Sequence, residues 1–342
     1  MTGKEAEQDR SNFDIWLPLR RLLQLEESGI LIALALLCIA LAVASPNFRT
    51  AYNLAVVVRQ ASFVALVALG ETLVLLLGGI DLSVGNAAGF SAIVGALMMT
   101  GLGVPAWIVI PATAAFGFAM GLINGFLISW IGLNPFIVTL ASGEVFAGLT
   151  LVITKGYPVG PLGPTFSIFG NGSIAAIPVP ILIFLGAAGI FSWVLRYSRF
   201  GRNIYAIGGN HDAAILVGIP VRRVQTIVYG LAGLFAAIAG ILYASRMDSA
   251  EPGVGGSWLM PAITAAIIGG TSLQGGQGTI LGTVLGAVLM AIIANGMTLL
   301  NVSGYWERVV IGGVVLVAVL VDFLRKQPGA RLPRYLTFHR KT

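Results

Sequence analysis

Apolar runs interrupted by Gly, Pro or charged residues recur along the chain at 29–45, 61–78, 83–100, 105–131, 135–153, 177–196, 224–245, 257–270, 280–300 and 305–324. A helix crossing a hydrocarbon core needs about 20 predominantly apolar residues. The pattern therefore predicts an all-α polytopic membrane protein of about ten transmembrane helices. Two polar interruptions stand out: 154–177, rich in Gly and Pro, and 197–223, rich in Arg. The run 257–270 is short and contains Pro261, so a re-entrant segment competes with a full crossing there. Before the first run, Phe13, Ile15, Trp16, Leu17 and Leu22 beside Arg20 and Arg21 fit either a short interfacial helix or a solvated tail. The domain reading is a tail at 1–28, a transmembrane domain at 29–324 containing the polar loop 197–223, and a second tail at 325–342.

Composition excludes a soluble protein: 57% of the 342 residues are hydrophobic and 10% are charged, where soluble domains carry about 25% charged residues. The net charge of +6 comes from residues scattered over loops and tails, which argues for membrane orientation and against a nucleic-acid surface. With ten crossings and the N-terminus inside, 15 of the 20 Lys and Arg residues fall on the cytoplasmic side. Both termini are thus expected in the cytoplasm. Removing the 257–270 crossing would put the basic C-terminal tail outside, so the charge pattern favours retaining it. The long polar stretch before the first run argues against a cleavable signal and for a retained first helix. A single cysteine, Cys38, leaves no internal disulfide to form. The 45 glycines are about twice the usual share of about 7%. In a membrane protein such a surplus points to close helix contacts and interrupted helices.

A weak internal repeat emerges at an offset of about 171 residues, where Leu122-Ile-Asn-Gly125 matches Ile293-Ala-Asn-Gly296. Glycine ladders at Gly117, Gly121, Gly125 and at Gly278, Gly282, Gly286 accompany it. Five helices per half would invert the second half. A second match, Gly78-Gly-Ile-Asp-Leu-Ser-Val-Gly85 with Gly269-Gly-Thr-Ser-Leu-Gln-Gly-Gly276, implies a different register.

The stretch Gly78 to Gly85 joins two spans. Gly78 and Gly79 can leave helical geometry freely, and Asp81 or Ser83 can cap the next helix. A capped helical hairpin explains the pattern; so does a broken helix that exposes backbone and an anionic side chain to a water-filled path. Gly78-Gly-Ile-Asp-Leu-Ser-Val-Gly85 also resembles the signature of permease subunits of ribose-type sugar ABC importers, within the branched-chain amino acid and sugar permease superfamily. Three further stretches agree in order and spacing: Asn134-Pro-Phe-Ile-Val-Thr-Leu140; Gly201-Arg-Asn-Ile-Tyr-Ala-Ile-Gly-Gly-Asn210 with Ala213-Ala214 and Gly218-Ile219; and Ile268-Gly-Gly-Thr-Ser-Leu-Gln-Gly-Gly276 with Gly282-Thr283. The chain departs from the commonest pattern at Leu259-Met260-Pro261-Ala262, where many relatives carry acidic residues, so ribose itself is not assigned.

The resemblance implies a multi-pass subunit of a bacterial inner membrane importer that moves a monosaccharide or related polyol. It implies an ATP-binding partner subunit, a sugar-binding protein outside, and a second permease subunit, identical or paralogous. Residues 210–218 read as a short helix capped by Asn210 and stopped by Gly218. In the resembling family this position docks on the ATPase, which nominates Asn210, Ala213, Ala214, Gly218 and Ile219; a solvated turn is the alternative. No lysine follows a P-loop pattern, so the chain is not expected to be an enzyme or to bind a cofactor, and ATP and Mg²⁺ would belong to the partner. Candidates for the substrate path are Glu71, Asp81, Ser83, Asn134, Glu144, Thr271 and Ser272. Charges at membrane depth should face the bundle interior or a cavity, so Glu71 and Glu144 serve either the path or an internal hydrogen bond. His211 and His339 have no ligand-spaced partners, and no metal site is expected. Competing readings are a permease for branched-chain amino acids or nucleosides, a proton-coupled carrier using Glu71 or Glu144, and a membrane assembly factor without transport.

Overall fold

The structure, a computed structural model, describes residues 28–175 and 177–326. The interfacial helix considered at 13–22 and the tail beyond Lys326 lie outside the described residues. The helices are α1 (Ser28–Ala44), α2 (Ala51–Leu76), α3 (Val84–Thr100), α4 (Ala106–Ser129), α5 (Pro135–Thr154), α6 (Pro164–Asn171), α7 (Val179–Tyr197), α8 (Arg199–Gly209), α9 (His211–Leu216), α10 (Val221–Met247), α11 (Leu259–Ile268), α12 (Ile280–Leu299) and α13 (Tyr305–Lys326). Single 3₁₀ turns at Pro46–Arg49 and Val254–Ser257 precede α2 and α11. A two-residue hairpin, β1 (Ser173–Ile174) with β2 (Ile177–Pro178), is the sheet found among the described residues. Among those residues six helices, α2, α4, α5, α7, α10 and α12, are long and apolar enough to cross a membrane, and three further apolar helical stretches are shorter. This is a polytopic membrane protein.

Helix α2 starts at Ala51, ten residues before the apolar run expected at 61–78, because Arg59 interrupts hydrophobicity without interrupting the helix. The interruption at 154–177 is not plain loop: it holds α6 and most of the hairpin. The loop at 197–223 carries α8 in addition to the expected short helix α9. Pro261 is the third residue of α11, in the first turn, where a missing N–H costs no helical hydrogen bond.

Helix α10 is the axis of the bundle and packs on α2, α3, α4 and α6. At three points of the α4 contact backbone approaches backbone: a Cβ on Gly117, Gly121 or Gly125 would run into Gly233, Tyr229 or Thr226 of α10. Such close approach maximises dispersion contacts, the main attraction between helices in lipid. In the second ladder Gly282 and Gly286 pack in the same way on Gly269 and Ala265. Gly278 falls before α12 starts and is not part of that helix; it turns the chain with φ 144°.

Packings in the two halves correspond. Helix α4 packs on α10 and α12 packs on α2; α3 packs on α10 and α11 on α2; α3 meets α4 and α5 as α11 meets α12 and α13. Asn124 of α4 and Asn295 of α12, aligned by the repeat, each bond a side chain on another element: Asn124 Nδ2 donates to Ser83 Oγ (3.0 Å), and Asn295 exchanges hydrogen bonds with Asn53 (3.0 and 2.8 Å). Gly85 and Gly255 meet reciprocally, a Cβ on either striking the backbone of the other.

The bundle has two ends. At one, the turn after α2, the turn 269–279 and α8 converge: Gly276 N–H donates to Leu76 O (2.9 Å), and Tyr205 Oη donates to Gly278 O (2.8 Å). At the other, the 154–178 segment folds onto the end of α10. Val159 and Ala250 exchange backbone hydrogen bonds, and the N–H groups of Leu162 and Gly163 donate to Asp248 Oδ1 (3.0 and 2.8 Å). The chain from Ala250 to Gly269 runs from the second end to the first although α11, with 10 residues, is only about 15 Å long. The remainder of that passage is not α-helical.

A large residue at a backbone crossing should be costly, and one on an open surface should not. Gly121→Leu is expected to lower the melting temperature of the detergent-purified protein, by an overpacking penalty of about 3 kcal/mol. Gly189→Leu in α7, with nothing within 4 Å of its would-be Cβ, is expected to melt like the parent.

Candidate functional site

Helix α2 ends at Leu76 because Gly78 takes φ 78°, a left-handed value that suits glycine. The chain then folds back along the helix it has just left. Asp81 N–H donates to Glu71 Oε1 (3.2 Å), five residues before the end of α2. Asp81 Oδ1 in turn accepts from Ser83 N–H (2.9 Å) and Ser83 Oγ (2.5 Å), so Asp81 holds the entry to α3. Asn124 joins through Ser83 Oγ, and the Tyr229 hydroxyl lies against Gly79. Glu71, Asp81, Ser83, Asn124 and Tyr229 are all buried. This is a sealed polar knot connecting α2, α3, α4 and α10. Glu71 Oε2, Asn124 Oδ1 and Tyr229 Oη carry no hydrogen-bond partner among the described residues. Beside it, Thr72 and Thr283 share a 2.7 Å hydrogen bond between α2 and α12.

The remaining path candidates are spread. Thr271 and Ser272 are buried in the turn 269–278, where Ser272 N–H donates to Gln277 O (2.9 Å). Asn134 is exposed and caps α5 by accepting from Phe136 N–H (2.9 Å). Glu144 is exposed halfway along α5, next to Gly143, whose carbonyl accepts from Asn86 Nδ2 (3.0 Å). The structure therefore brings Glu71, Asp81 and Ser83 together and leaves Asn134, Glu144, Thr271 and Ser272 elsewhere. Asn124 and Tyr229, which complete the knot, were not singled out; Asn124 lay in view as the third residue of the repeated Leu-Ile-Asn-Gly. Among the described residues no group of three or more His, Cys, Asp or Glu is placed to hold a metal ion.

Residues 211–216 form α9, capped by Asn210 Oδ1 accepting from Ala213 N–H (2.9 Å). Gly218, at φ 80°, ends the segment with its N–H on Ile215 O (3.0 Å). Ala214 is buried and Ile219 half-buried, so these two anchor α9 to the body, while Ala213 is exposed. Ile215, Leu216 and Val217 are exposed apolar residues that the sequence reading passed over. Their signal was an apolar triplet inside an Arg-rich loop. Preceding α9, α8 is clamped by contacts without Cβ atoms: Gly208 lies on Leu76 O, and Gly276 on Gly209. Half-burial raises the Tyr205 phenol above its ordinary pKa, keeping it the protonated donor to Gly278 O.

Residues 53–319 match the family described as "Branched-chain amino acid transport system / permease component". The chain belongs to that family. The ribose import permease protein of Bacillus subtilis (strain 168) is 41% identical to this permease over 322 residues, 93% of this chain and 97% of that protein. The ribose import permease protein of Escherichia coli (strain K12) is 40% identical over 303 residues, 87% and 94% of the two chains. The D-allose transport system permease protein of the same strain is 37% identical over 301 residues, 87% and 92%. The resemblance read from the four motifs holds, and in this permease the first motif forms the polar knot while the third supplies α8 and α9.

Asp81 is the acceptor on which the knot depends. Removing it strands the Ser83 N–H and hydroxyl in a dry environment, where an unsatisfied buried group costs about 1–3 kcal/mol. Asp81→Ala is expected to lower the melting temperature of the purified permease more than Asn134→Ala, whose cap is solvent-exposed; paired thermal unfolding curves measure this.

Proposed function

We propose that this chain is the membrane-crossing permease subunit of an ATP-driven, binding-protein-dependent importer for a monosaccharide or related polyol. The observation that carries the reading is its 41% identity, across nearly the full length of both chains, to a ribose import permease protein. Relatives named for ribose and D-allose favour a sugar over a branched-chain amino acid or a nucleoside. Two such subunits, identical or paralogous, would enclose a central path, with a sugar-binding protein outside and ATP-binding subunits inside. The chain has no P-loop lysine, so ATP and Mg²⁺ are assigned to the partner.

Ten crossings, an inverted five-helix repeat and cytoplasmic termini in an inner membrane form part of the same proposal. The matched helix packings of the two halves and the reciprocal Gly85–Gly255 contact support the repeat at the offset of about 171 residues. The end-to-end run of 250–269 supports a crossing despite the short α11. The end bearing α8 and α9 carries Arg196, Arg199, Arg202, Arg222 and Arg223 and is assigned to the cytoplasm.

On this reading α9 docks on the ATPase. Asn210 and Gly218 shape the segment, Ala214 and Ile219 fasten it, and Ala213, Ile215, Leu216 and Val217 make the contact. Glu71, Asp81 and Ser83 brace the entry to α3 behind the path, and Thr271 and Ser272 brace the turn that α8 touches. Asn134 starts α5, whose outer face carries Glu144.

Leu216→Asp is expected to leave the melting temperature of the permease unchanged, because Leu216 is 86% exposed. It should nonetheless cut ATP-driven sugar uptake in proteoliposomes by roughly tenfold or more, the loss of a central interface residue. Unchanged uptake would remove the docking role from α9. Uptake driven by a pH gradient in vesicles lacking the ATPase would overturn the importer reading itself.

A further inference from the structure

Helix α5 buries Val138, Thr139, Gly143 and Thr150 against the bundle and exposes the opposite stripe, Ile137, Ala141, Glu144, Val145 and Val152. Glu144 is the single charge within this 20-residue helix, and it sits at the midpoint. A carboxylate facing lipid at that depth would cost about 2.5–3.5 kcal/mol on insertion scales. What covers Glu144 is therefore polar.

A second observation, independent of Glu144, concerns the passage from α10 to α11. Residues 251–257 are not α-helical, yet they lie deep in the bundle: Gly255 is pressed on Gly85 and Gly89 of α3, and the following Trp258 stacks on Phe63 from the middle of α2 at 6.3 Å and 7°. Within this deep passage Gly253, Gly256 and Ser257 are exposed and Glu251 is half-buried. Irregular backbone at membrane depth is tolerated only inside protein or along a water-filled cavity. In this subunit the passage is exposed, which favours the second case.

Asn86 connects the two features. Its Nδ2 donates to Gly143 O (3.0 Å), beside Glu144, and its Oδ1 lies 3.8 Å from where a Cβ would stand on Gly256. Asn86 is half-buried, on the first turn of α3.

We infer that the face formed by Asn86, Glu144 and the exposed part of 253–257 is the water-filled wall of the sugar path on this subunit, where Asn86, Glu144 and Ser257 offer hydrogen bonds to the hydroxyl groups of a neutral polyol. The inference rests on the permease reading above and names residues for it. The Glu144 carboxylate accepts from hydroxyls, the Asn86 amide both donates and accepts, and the Ser257 hydroxyl, which donates to Val254 O (2.9 Å), accepts. Such groups exchange one sugar hydroxyl for another without holding any of them tightly, as a conducting path requires. The sealed knot of Glu71, Asp81 and Ser83 stands behind this wall and fixes the start of α3 that presents Asn86.

Water access tests it. In the Cys38→Ala background, single cysteines replace Asn86, Glu144, Ser257 and, as a control in the middle of α7, the 60% exposed Ile190. The full importer is reconstituted with its ATPase and binding protein, and a charged thiol reagent is added from both sides. Cysteines at 86, 144 and 257 are expected to react roughly tenfold faster than the one at 190, as groups in water do relative to groups in lipid. Sugar at saturating concentration during turnover should slow them, and the bound label should block uptake. Reaction at 144 and 257 as slow as at 190 would overturn the inference, showing the face sealed by lipid or by the second subunit. Glu144→Gln, which keeps size and hydrogen-bonding capacity, guards against misfolding: it should retain more uptake than Glu144→Leu, and equal uptake by the two would also overturn it. ATP-driven uptake by the unlabelled Cys38→Ala importer reads the permease assignment separately.

Discussion

Buried backbone groups must find partners inside the protein, and much of this structure is arranged around two places where the helical ladder that supplies them stops. After Leu76 the chain reverses, and side-chain carboxylates take over: Glu71 accepts from Asp81 N–H and Asp81 from Ser83 N–H. Before α11 the solution is different. The passage at 251–258 is held by its own short turns, Val254 N–H on Glu251 O and Trp258 N–H on Gly255 O, and by contact with the glycines of α3. The two interruptions touch at Gly85 and Gly255, so each stabilises the other.

From the first interruption a short mechanical route leads to the segment assigned to ATPase docking. Leu76 O receives Gly276 N–H and also lies under Gly208, and Gly208 is two residues before the Asn210 cap of α9. These contacts are backbone against backbone. Close-packed interiors transmit displacement rather than absorb it, and no flexible side chain intervenes here to take up slack. A movement imposed on α9 is thereby coupled to the end of α2 and, through Gly78 to Ser83, to the start of α3.

The helices were largely visible in the sequence because hydrocarbon imposes one length and one composition on them. Where polarity and helicity part company, the apolar runs and the helices differ. Arg59 holds back the start of an apolar run to 61 yet lies inside α2, and the depth of Glu-Pro-Gly-Val-Gly-Gly-Ser, 251–257, is invisible because that composition looks like an ordinary surface loop. Only its tertiary contact with Gly85 reveals it. For the site, Glu71, Asp81 and Ser83 belong to one local motif and could be found by proximity in sequence. Asn124 and Tyr229 come from α4 and α10 and join the knot through helix packing, which no local pattern encodes. The α9 cap and stop were legible because capping is local chemistry, whereas the inward turn of Ala214 and the outward turn of Leu216 depend on how α9 sits against α8.

The brevity of α11 also bears on how the protein is made. Ten residues beginning with a proline in the first turn, preceded by glycines and a glutamate, form a poor substrate for the translocon, which admits helices by their own hydrophobicity. Its deep leader packs on α3, with Trp258 against α2 and α10. All three of those helices leave the ribosome earlier. Helix α11 therefore gains its place by tertiary folding onto neighbours made before it, and the order of synthesis along the chain favours that packing.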